Sequence, residues 1–373
     1  MEYLRLKDVC DINMGQSPTS DSYNDDGDGV PFFQGNADFG DRYPVTRKWC
    51  NAPTKMAQSG DILISVRAPI GAINYAKEEC CIGRGLAAVT PDRDKVSPDF
   101  VFWFLKGKKE ELNSKGTGST FKAISRKVLE EILVPNVDLK EQSKYAEMLE
   151  KIYFVQKLQK QELKYLDDLI KARFVEMFGS IHESTKYPYI AVKDLTDVIS
   201  GGTPSRDRSE YWYNGTIPWV KTTELQNNVI KNVDEYITES GLADSSAKMV
   251  PIGTVLVAMY GQGKTRGMTA YLGIEASTNQ ACACILPSEK IDSMYMWKYF
   301  ELSYDKLRSL AQGAGQPNLN GNMIKNFQVL VPPIELQNEY VSFVNQIDKS
   351  KSARNRRYFI VNKRDEIYNS IEK

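Results

Sequence analysis

The chain has 373 residues, and its 48 lysines and arginines balance 48 aspartates and glutamates, so the formal net charge is zero. This balance argues against a strong, unspecific nucleic-acid binder, which needs excess positive charge. The sequence contains no apolar run of membrane-spanning length and does not open on a signal segment, so we expect a cytoplasmic protein without a membrane partner.

The first stretch of the chain, residues 1–137, alternates short apolar segments with glycine, proline and asparagine. Residues 61–66 and 86–89 are predicted as strands. Residues 100–105 are predicted as a helix, because the start signal Ser97-Pro98-Asp99 comes directly before them. This mixture predicts a compact α+β domain.

The next stretch, residues 138–180, contains no proline and no glycine before Gly179, which predicts one long helix. Residues 334–373 form a second stretch of the same kind. Apolar side chains recur in both at the spacing of a coiled-coil seam, and about 41 residues of helix make a rod of about 60 Å. The seam residues are Tyr145, Leu149, Ile152, Leu163, Leu166 and Ile170 in the first helix and Tyr340, Val344, Ile347, Tyr358 and Val361 in the second.

The seam turns polar in the middle of both helices, at Gln156 and Gln159 in the first and at Lys351 and Arg354 in the second. Antiparallel pairing sets these centres opposite each other, and our hypothesis is that they fix direction and register. The first helix carries a second apolar stripe. Two interpretations are open: the stripe packs on the chain's own domains, or another protein docks on it. This stripe consists of Val155, Leu158, Tyr165, Leu169 and Ala172.

The third stretch, residues 181–333, repeats the first in the same order. Residues 193–204 match residues 7–18 at an offset of 186, and residues 329–332 match residues 132–135 at an offset of 197. The offset only grows along the chain, as expected when the second copy carries loop insertions. The repeat therefore predicts two like domains built on one plan.

The sequence offers few residues that could form a catalytic site or bind a metal ion. His182 is the only histidine, which excludes histidine-based nucleophilic and metal sites, and we expect it to be an exposed linker residue. The six cysteines lack CxxC spacing and are expected to be buried free thiols. Residues 258–265 have the spacing of a phosphate-binding loop, but no helical period follows, so a polar hairpin loop is favoured. We expect no catalytic residue, metal or cofactor in this chain.

The paired openings Lys-Asp-x-x-Asp…Gly-x-Ser/Thr-Pro at residues 7–18 and 193–204 carry a family resemblance. Residues 60–67, residues 313–320 and Val331-Pro332-Pro333 extend it along nearly the whole chain. Together these segments resemble the specificity (S) subunit of type I restriction–modification enzymes. The first copy departs from the pattern at residues 118–121, where Gly-Ser-Thr-Phe replaces Gly-Gln-Pro-Asn, so this loop is expected to contact DNA differently.

The resemblance implies an α+β fold of two target-recognition domains, residues 1–137 and 181–333, each reading one half of a split, asymmetric double-stranded DNA target. The helices, residues 138–180 and 334–373, are implied to form an antiparallel coiled coil that separates the domains about a pseudo-two-fold axis. Two methyltransferase (M) subunits are implied partners, with room for two motor–nuclease (R) subunits. Catalysis, S-adenosylmethionine, ATP and Mg²⁺ then belong to those partners.

Equivalent loops of the two copies supply candidate DNA contacts. Arg, Gln and Asn can discriminate bases, whereas Lys, Ser and Thr more often bind phosphates. The alternative for each is a surface residue that caps a turn, and the rival function is a coiled-coil scaffold with two protein- or carbohydrate-binding domains. The first-copy candidates are Gln16, Ser17, Thr19, Gln34, Asn36, Arg67, Thr117, Ser119 and Lys122. The second-copy candidates are Thr203, Ser205, Arg206, Arg208, Lys221, Thr222, Thr223, Tyr260, Gln262, Lys264, Arg266, Gln316, Asn318 and Asn320.

Overall fold

The computed structural model describes residues 2–118, 122–261, 263–311 and 317–361, with side chains up to Arg354. The chain forms two compact units, divided between Lys160 and Gln161 and again between Arg354 and Asn355. The first division falls within a 40-residue helix, Leu139–Phe178, which we call the central helix. A second long helix, Ile334–Val361, is the C-terminal helix. The candidates that lie outside the described residues are Ser119, Gln262, Gln316 and the side chains of Tyr358 and Val361.

The first domain is built on two sheets, and the strands and helix predicted at residues 61–66, 86–89 and 100–105 are confirmed. In hydrogen-bonding order, the antiparallel main sheet contains Cys10–Met14, Leu86–Pro91, Ile62–Ser65 and Ile73–Tyr75. The second sheet contains Tyr23–Asn24, Trp49–Cys50, Val30–Phe33, Cys80–Ile82 and Met56–Ala57, and Tyr3–Arg5 pairs separately with Leu133–Pro135. The helices are Leu6–Val9, Pro98–Gly107, Lys109–Ser114 and Arg126–Glu130, with short 3-10 turns at Ser20–Ser22 and Asn36–Asp38.

The second domain repeats this plan with an insertion. Its main sheet contains Val198–Ser200, Cys282–Ile285, Val255–Ala258, Thr269–Leu272 and Asn228–Ile230, and its second sheet contains Glu235–Ile237, Ile217–Val220 and Ser277–Thr278. Tyr189–Ala191 pairs with Gln328–Leu330. The helices are Val192–Leu195, Glu239–Ala243, Ser293–Leu302, Tyr304–Ser309 and Gly321–Lys325, with 3-10 turns at Ser209–Tyr211 and Thr222–Glu224. The extra elements between residues 228 and 243 lie where the repeat offset grows from 187, at Pro31 and Pro218, to 193, at Met56 and Met249.

One buried glutamine fastens each long helix to its own domain. Gln142 Oε1 accepts a hydrogen bond from the backbone N of Ser97 (2.7 Å), and Gln337 Oε1 accepts the equivalent bond from Asp292 (2.9 Å). Each side chain also donates to the carbonyl oxygen five residues before it, at 2.8 and 2.7 Å. Because both amides are buried and each is bonded through its oxygen and its nitrogen, they set where each helix leaves its domain.

The first seam residues of each helix pack into a domain core, a contact that the seam prediction did not include. Tyr145 and Leu149 lie against the core of the first domain. Tyr340 and Val344 lie in the core of the second, where Tyr340 also meets Phe174 of the central helix edge-on at 5.5 Å. Ile170 joins the same core, and Ile347 packs against it. The seam is thus partly a domain–helix contact.

Within the second unit, the central and C-terminal helices run antiparallel. Glu162 pairs with Arg354 (2.8 Å), Asp167 with Lys351 (2.5 Å), and Arg173 with Glu339 (2.7 Å), so numbering rises along one helix as it falls along the other. The two cations of the polar centre therefore have carboxylate partners that the sequence did not single out. Burial by itself would lower the pKa of Lys351, but Asp167 and Asp348 outweigh it and raise that pKa.

Within its own unit, each part of the second stripe is exposed among the described residues, which contradicts packing on the domain of that unit. Val155, Leu158, Tyr165 and Leu169 are 39%, 49%, 60% and 45% exposed, and Ala172 is exposed as well. No helix of the described residues is long and apolar enough to cross a membrane.

The structure corrects the environment expected for His182 and confirms two other predictions. His182 is half-buried, and its ring meets Tyr299 and Phe327 edge-on; burial, followed by the nearby Lys306, lowers its pKa. The sequence did not reveal the partial burial of His182, because the aromatic residues that contact it are more than 100 positions away along the chain. All six cysteines are buried free thiols. The strand Val255–Ala258 pairs antiparallel with Thr269–Leu272, which is the next strand along the chain, so the segment that joins them is a hairpin loop.

Candidate nucleic-acid interface

Two short segments in each domain are held together by backbone contacts. The first is the repeated Gly-x-Ser/Thr-Pro opening, residues 15–18 and 201–204, which we call the signature segment. The second is a tight turn before an inner strand of the main sheet, residues 83–85 and 279–281, which we call the apex turn. The two are far apart in sequence and adjacent in space.

In the first domain, glycine lets the signature segment lie directly on the apex turn. The backbone N of Gly15 donates to the carbonyl of Leu86 (2.9 Å), and that of Gln16 donates to the carbonyl of Ile82 (3.0 Å). A Cβ at Gly15 would lie 2.2 Å from the carbonyl oxygen of Gly83, a separation that no side chain can occupy. The glycine is therefore required for close approach.

The second domain repeats these bonds at equivalent positions. The backbone N of Gly201 donates to the carbonyl of Cys282 (3.4 Å), and that of Gly202 donates to the carbonyl of Thr278 (2.8 Å). A Cβ at Gly201 would lie 2.2 Å from the carbonyl oxygen of Thr278. The signature thus encodes one backbone arrangement twice.

The signature hydroxyl also reaches the apex turn in both domains. Ser17 Oγ accepts a hydrogen bond from the backbone N of Arg84 (3.3 Å). The hydroxyl of Thr203 donates to Oε1 of Gln280. These contacts place Arg84 and Gln280 beside the predicted candidates Ser17 and Thr203.

The first domain brings three of its four candidate loops to one polar cleft of about 290 Å³. Arg84, which the sequence analysis did not select, lies in the same lining. Arg67 and Arg84 are exposed, and no acidic side chain of the described residues forms an ion pair with either. The candidates in the lining are Ser17, Gln34, Asn36 and Arg67, and Tyr23 and backbone of residues 35, 68 and 85 complete it.

The remaining first-domain candidates lie near this cleft or serve the loops themselves. The backbone N of Ala68 donates to the carbonyl of Lys122 (3.0 Å), which brings the fourth loop beside Arg67. Thr117 forms a two-residue bridge with Ala123 in this loop. The two other candidates contribute backbone carbonyls: that of Gln16 accepts from Thr54 (2.6 Å), and that of Thr19 accepts from the hydroxyl of Ser22 (2.6 Å).

Two cations of the second domain are neutralised within the domain. Arg206 and Lys221 both pair with Glu235, at 2.7 and 2.9 Å. The guanidinium of Arg206 also stacks 3.6 Å above the ring of Trp212. Burial would raise the pKa of Glu235, but Lys221 and Arg206 outweigh it and lower that pKa. These cations are less available to DNA than Arg67 and Arg84.

The other second-domain candidates mostly hold their own loops. Arg208 donates to the hydroxyl of Tyr211 (2.8 Å), and the carbonyl of Ser205 accepts from the indole of Trp212 (3.0 Å). Asn320 accepts from the backbone N of Met323 (3.0 Å) and so caps the helix Gly321–Lys325. Thr222 and Thr223 form a 3-10 turn, Asn318 is half-buried, and Tyr260 is 43% exposed.

Arg266 ties two loops together. Its guanidinium donates to the carbonyl of Pro317, and its own carbonyl accepts from Arg308 (2.9 Å). The side chain of Lys264 is exposed, while its carbonyl accepts from the hydroxyl of Tyr304 (2.7 Å). Arg266 therefore positions the hairpin loop.

A comparison with known protein families identifies the family of this chain. The family model described as type I restriction modification DNA specificity domain matches residues 1–169 and again residues 184–357. The chain belongs to this family. The two matches correspond to the two copies of the repeat and include parts of both long helices.

Several curated members of the specificity family are similar to the chain. The MjaX specificity subunit of Methanocaldococcus jannaschii is 48% identical over 141 residues, which is 38% of this chain and 33% of that protein. The EcoR124I/EcoR124II specificity subunit of Escherichia coli is 26% identical over 151 residues, 40% of this chain and 37% of that protein. The chain thus spans about a third of the length of each of these two relatives. The MjaIX specificity subunit of M. jannaschii is 20% identical over 371 residues, 92% of this chain and 85% of that protein.

Solved structures of the specificity family share the fold. The S subunit of a type I restriction–modification system from M. genitalium has a TM-score of 0.60 at 13% identity, covering 99% of this chain and 95% of that one. A chain from a type I R-M system, studied for complex assembly and conformational transition, has a TM-score of 0.58 at 17% identity, covering 99% and 96%. The duplicated α+β architecture is therefore that of an S subunit.

Sequence reasoning missed Arg84, which lines the first-domain cleft, and its counterpart Gln280 in the second domain. The available signal was positional: the two residues match at the repeat offset of 196, and each stands just before a short apolar segment. They were overlooked because nothing local ties them to the signature segment. That proximity arises only when the sheets form.

Proposed function

We propose that the chain is the non-catalytic DNA-recognition subunit of a type I restriction–modification enzyme, with each domain reading one half of a split, asymmetric duplex target. The observation that carries this proposal is the backbone arrangement that the two domains share. The same backbone bonds join signature segment and apex turn in both domains, while the exposed side chains differ. One frame with two sets of side chains suits two different half-sites. The curated relatives, named as specificity subunits, support this function.

The cleft chemistry of the first domain suits base edges and phosphates. Arg67 and Arg84 offer guanidinium donors, and Gln34 and Asn36 offer amide donors and acceptors. Because the net charge is zero, binding would depend on these local groups and not on bulk attraction. This favours specific over unspecific binding.

The long helices are proposed to set the spacing between half-sites. The central helix has 40 residues, and a helix of that length is about 60 Å long. Half-sites one helical turn of DNA apart are separated by about 34 Å. A rod of this length is sufficient to separate two domains by one turn or more.

Two methyltransferase subunits, and motor–nuclease subunits where present, are the proposed partners. The exposed apolar face of the central helix supports docking of another protein: Tyr165, Leu169 and Val175 are 60%, 45% and 44% exposed. S-adenosylmethionine, ATP and Mg²⁺ are proposed to bind those partners, in keeping with a chain that contributes the recognition site alone.

The test is DNA selection by the chain co-purified with its methyltransferase partner. We expect gel shifts to reveal one bipartite sequence, and methylation mapping in the host to find modified bases in that sequence. The chain alone is expected neither to methylate nor to cut DNA. A scaffold for protein or carbohydrate would select no sequence, and methylation or cleavage by the isolated chain would contradict the assignment of catalysis to partners.

A further inference from the structure

Each apex turn exposes the side chain of its middle residue to solvent, whereas the residues on either side are more buried. In the first domain, Gly83 and Gly85 are buried and Arg84 is exposed. In the second domain, Ala281 is half-buried while Gln280 is exposed. The turn is thus built to project its middle residue to solvent.

The backbone of each apex turn is fixed on the side opposite the signature segment as well. The backbone N of Gly83 donates to the carbonyl of Phe33 (2.8 Å), and the carbonyl of Gly85 accepts from Val66 (2.9 Å). A Cβ at Gly85 would lie 2.2 Å from the carbonyl oxygen of Gln34. The turn therefore cannot shift without breaking several bonds.

The second domain makes the equivalent bonds. The backbone N of Asn279 donates to the carbonyl of Val220 (3.0 Å), and the carbonyl of Ala281 accepts from Met259 (2.8 Å). Two backbone bonds thus hold each apex turn, and the two signature contacts hold the residues that flank it, all at matched positions. A rigid mount of this kind pre-organises one side chain for recognition, which limits the entropy lost on binding.

We infer that Arg84 and Gln280 are matched base-reading positions: Arg84 reads a guanine in the half-site of the first domain, and Gln280 reads an adenine in the half-site of the second. The guanidinium fork fits the O6 and N7 acceptors of guanine, and the glutamine amide fits the N6 donor and N7 acceptor of adenine. This inference rests on the proposed function and adds to it the residues that make the two half-sites differ.

Their surroundings favour base reading over a structural role. Arg84 lines the polar cleft and has no ion-pair partner among the described residues. Gln280 is oriented by the hydroxyl of Thr203, which donates to one lone pair of Oε1; the second lone pair of Oε1 and the Nε2 donors stay available to a base at the surface. Neither side chain fills a core, so substitution should leave the fold intact.

The test is a reciprocal swap, Arg84→Gln and Gln280→Arg, in the chain co-purified with its methyltransferase partner. Each protein selects from a duplex library with both half-sites randomised. We expect Arg84→Gln to lose about ten- to hundredfold preference for guanine at one position of one half-site and to favour adenine there. Gln280→Arg should make the opposite change in the other half-site only.

Two further variants separate base reading from phosphate binding and from a general charge effect. Arg84→Lys keeps the charge and loses the planar fork, so it should weaken the guanine preference without creating a preference for adenine. Arg93→Gln is the matched control, since this exposed arginine lies beyond the far end of the strand Leu86–Pro91, roughly 20 Å from the cleft by strand length. It should select the wild-type sequence.

The outcomes are distinguishable. If wild type selects a split sequence and both swaps retain it unchanged, the inference is overturned while the proposed function stands. If Arg84→Gln weakens binding to all duplexes equally and Arg84→Lys restores it, Arg84 binds phosphate and the inference also fails. If wild type selects no sequence, the proposed function itself fails and the inference falls with it. Equal thermal unfolding of all variants would tie the changes to recognition.

Discussion

In the first domain, Arg67 and Arg84 are exposed at the cleft without an ion-pair partner among the described residues, whereas in the second domain Arg206 and Lys221 share Glu235. The backbone frames are nevertheless bonded alike. A duplicated fold can therefore keep its frame while the side chains of each copy change independently. The comparison teaches that residue type alone is a poor guide to DNA contact, because an arginine beside a glutamate is already occupied.

The largest effect should come from filling the space at the signature glycine, since both frames depend on it. Gly15→Val and Gly201→Val would place a side chain within 2.2 Å of a carbonyl oxygen. Each should lower the free energy of unfolding by about 4 kcal/mol. Thermal unfolding measures this, with Gly35→Ala as control, because a Cβ there meets nothing within 4 Å and its φ of −174° is ordinary extended backbone. Unchanged stability of both valine variants would contradict the close-packed frame.

The buried glutamines test whether the two domains hold their helices equally. Gln142→Leu and Gln337→Leu each leave a backbone donor and a carbonyl unpaired, so each should cost about 2–4 kcal/mol. Urea denaturation compares the two. The exposed Gln346→Leu should change stability by no more than about 0.5 kcal/mol. A large difference between the unfolding free energies of Gln142→Leu and Gln337→Leu would show that the equivalent hydrogen bonds stabilise the two domains unequally.

Arg266→Ala is expected to relax discrimination at one base position by about 1–3 kcal/mol. The reason given by the structure is loss of the bond to the carbonyl of Pro317, which releases the hairpin loop. Selection from a randomised half-site measures the change. Full-strength recognition of the wild-type sequence by the alanine variant would remove Arg266 from the recognition surface.

The smallest effect, and the most informative for the comparison, should come from Glu235→Gln. The change should release Arg206, while Lys221 keeps Asp234 as a partner at 3.5 Å, and should thereby give stronger unspecific DNA binding and a salt dependence steeper by about one phosphate contact. The cost in stability should stay near 1 kcal/mol, because the pairs are partly exposed. Glu239→Gln changes the net charge equally on an exposed helix and should leave the salt dependence unaltered.

Much of the architecture could be predicted because its signals are local or repetitive. The absence of glycine and proline over residues 138–178 specifies a long helix wherever it lies. The repeated signature specified two copies of one domain, and three of the four candidate loops of the first domain line one cleft, a convergence that the repeat did not predict. The individual DNA contacts remain predictions.

The rest depended on distant partners. Ser17 and Arg84 meet across 67 residues of sequence, and Arg206 and Lys221 find Glu235 only when the second domain folds. Tyr145 and Tyr340 fit a helical seam by spacing but pack into domain cores. By itself, the sequence determined the duplication, the long helices and the glycine-based signature, because periodicity and backbone freedom are properties of short segments. Tertiary structure decided which side chains stay exposed near the two signature segments, because sheet pairing brings distant charges and backbone groups within bonding distance.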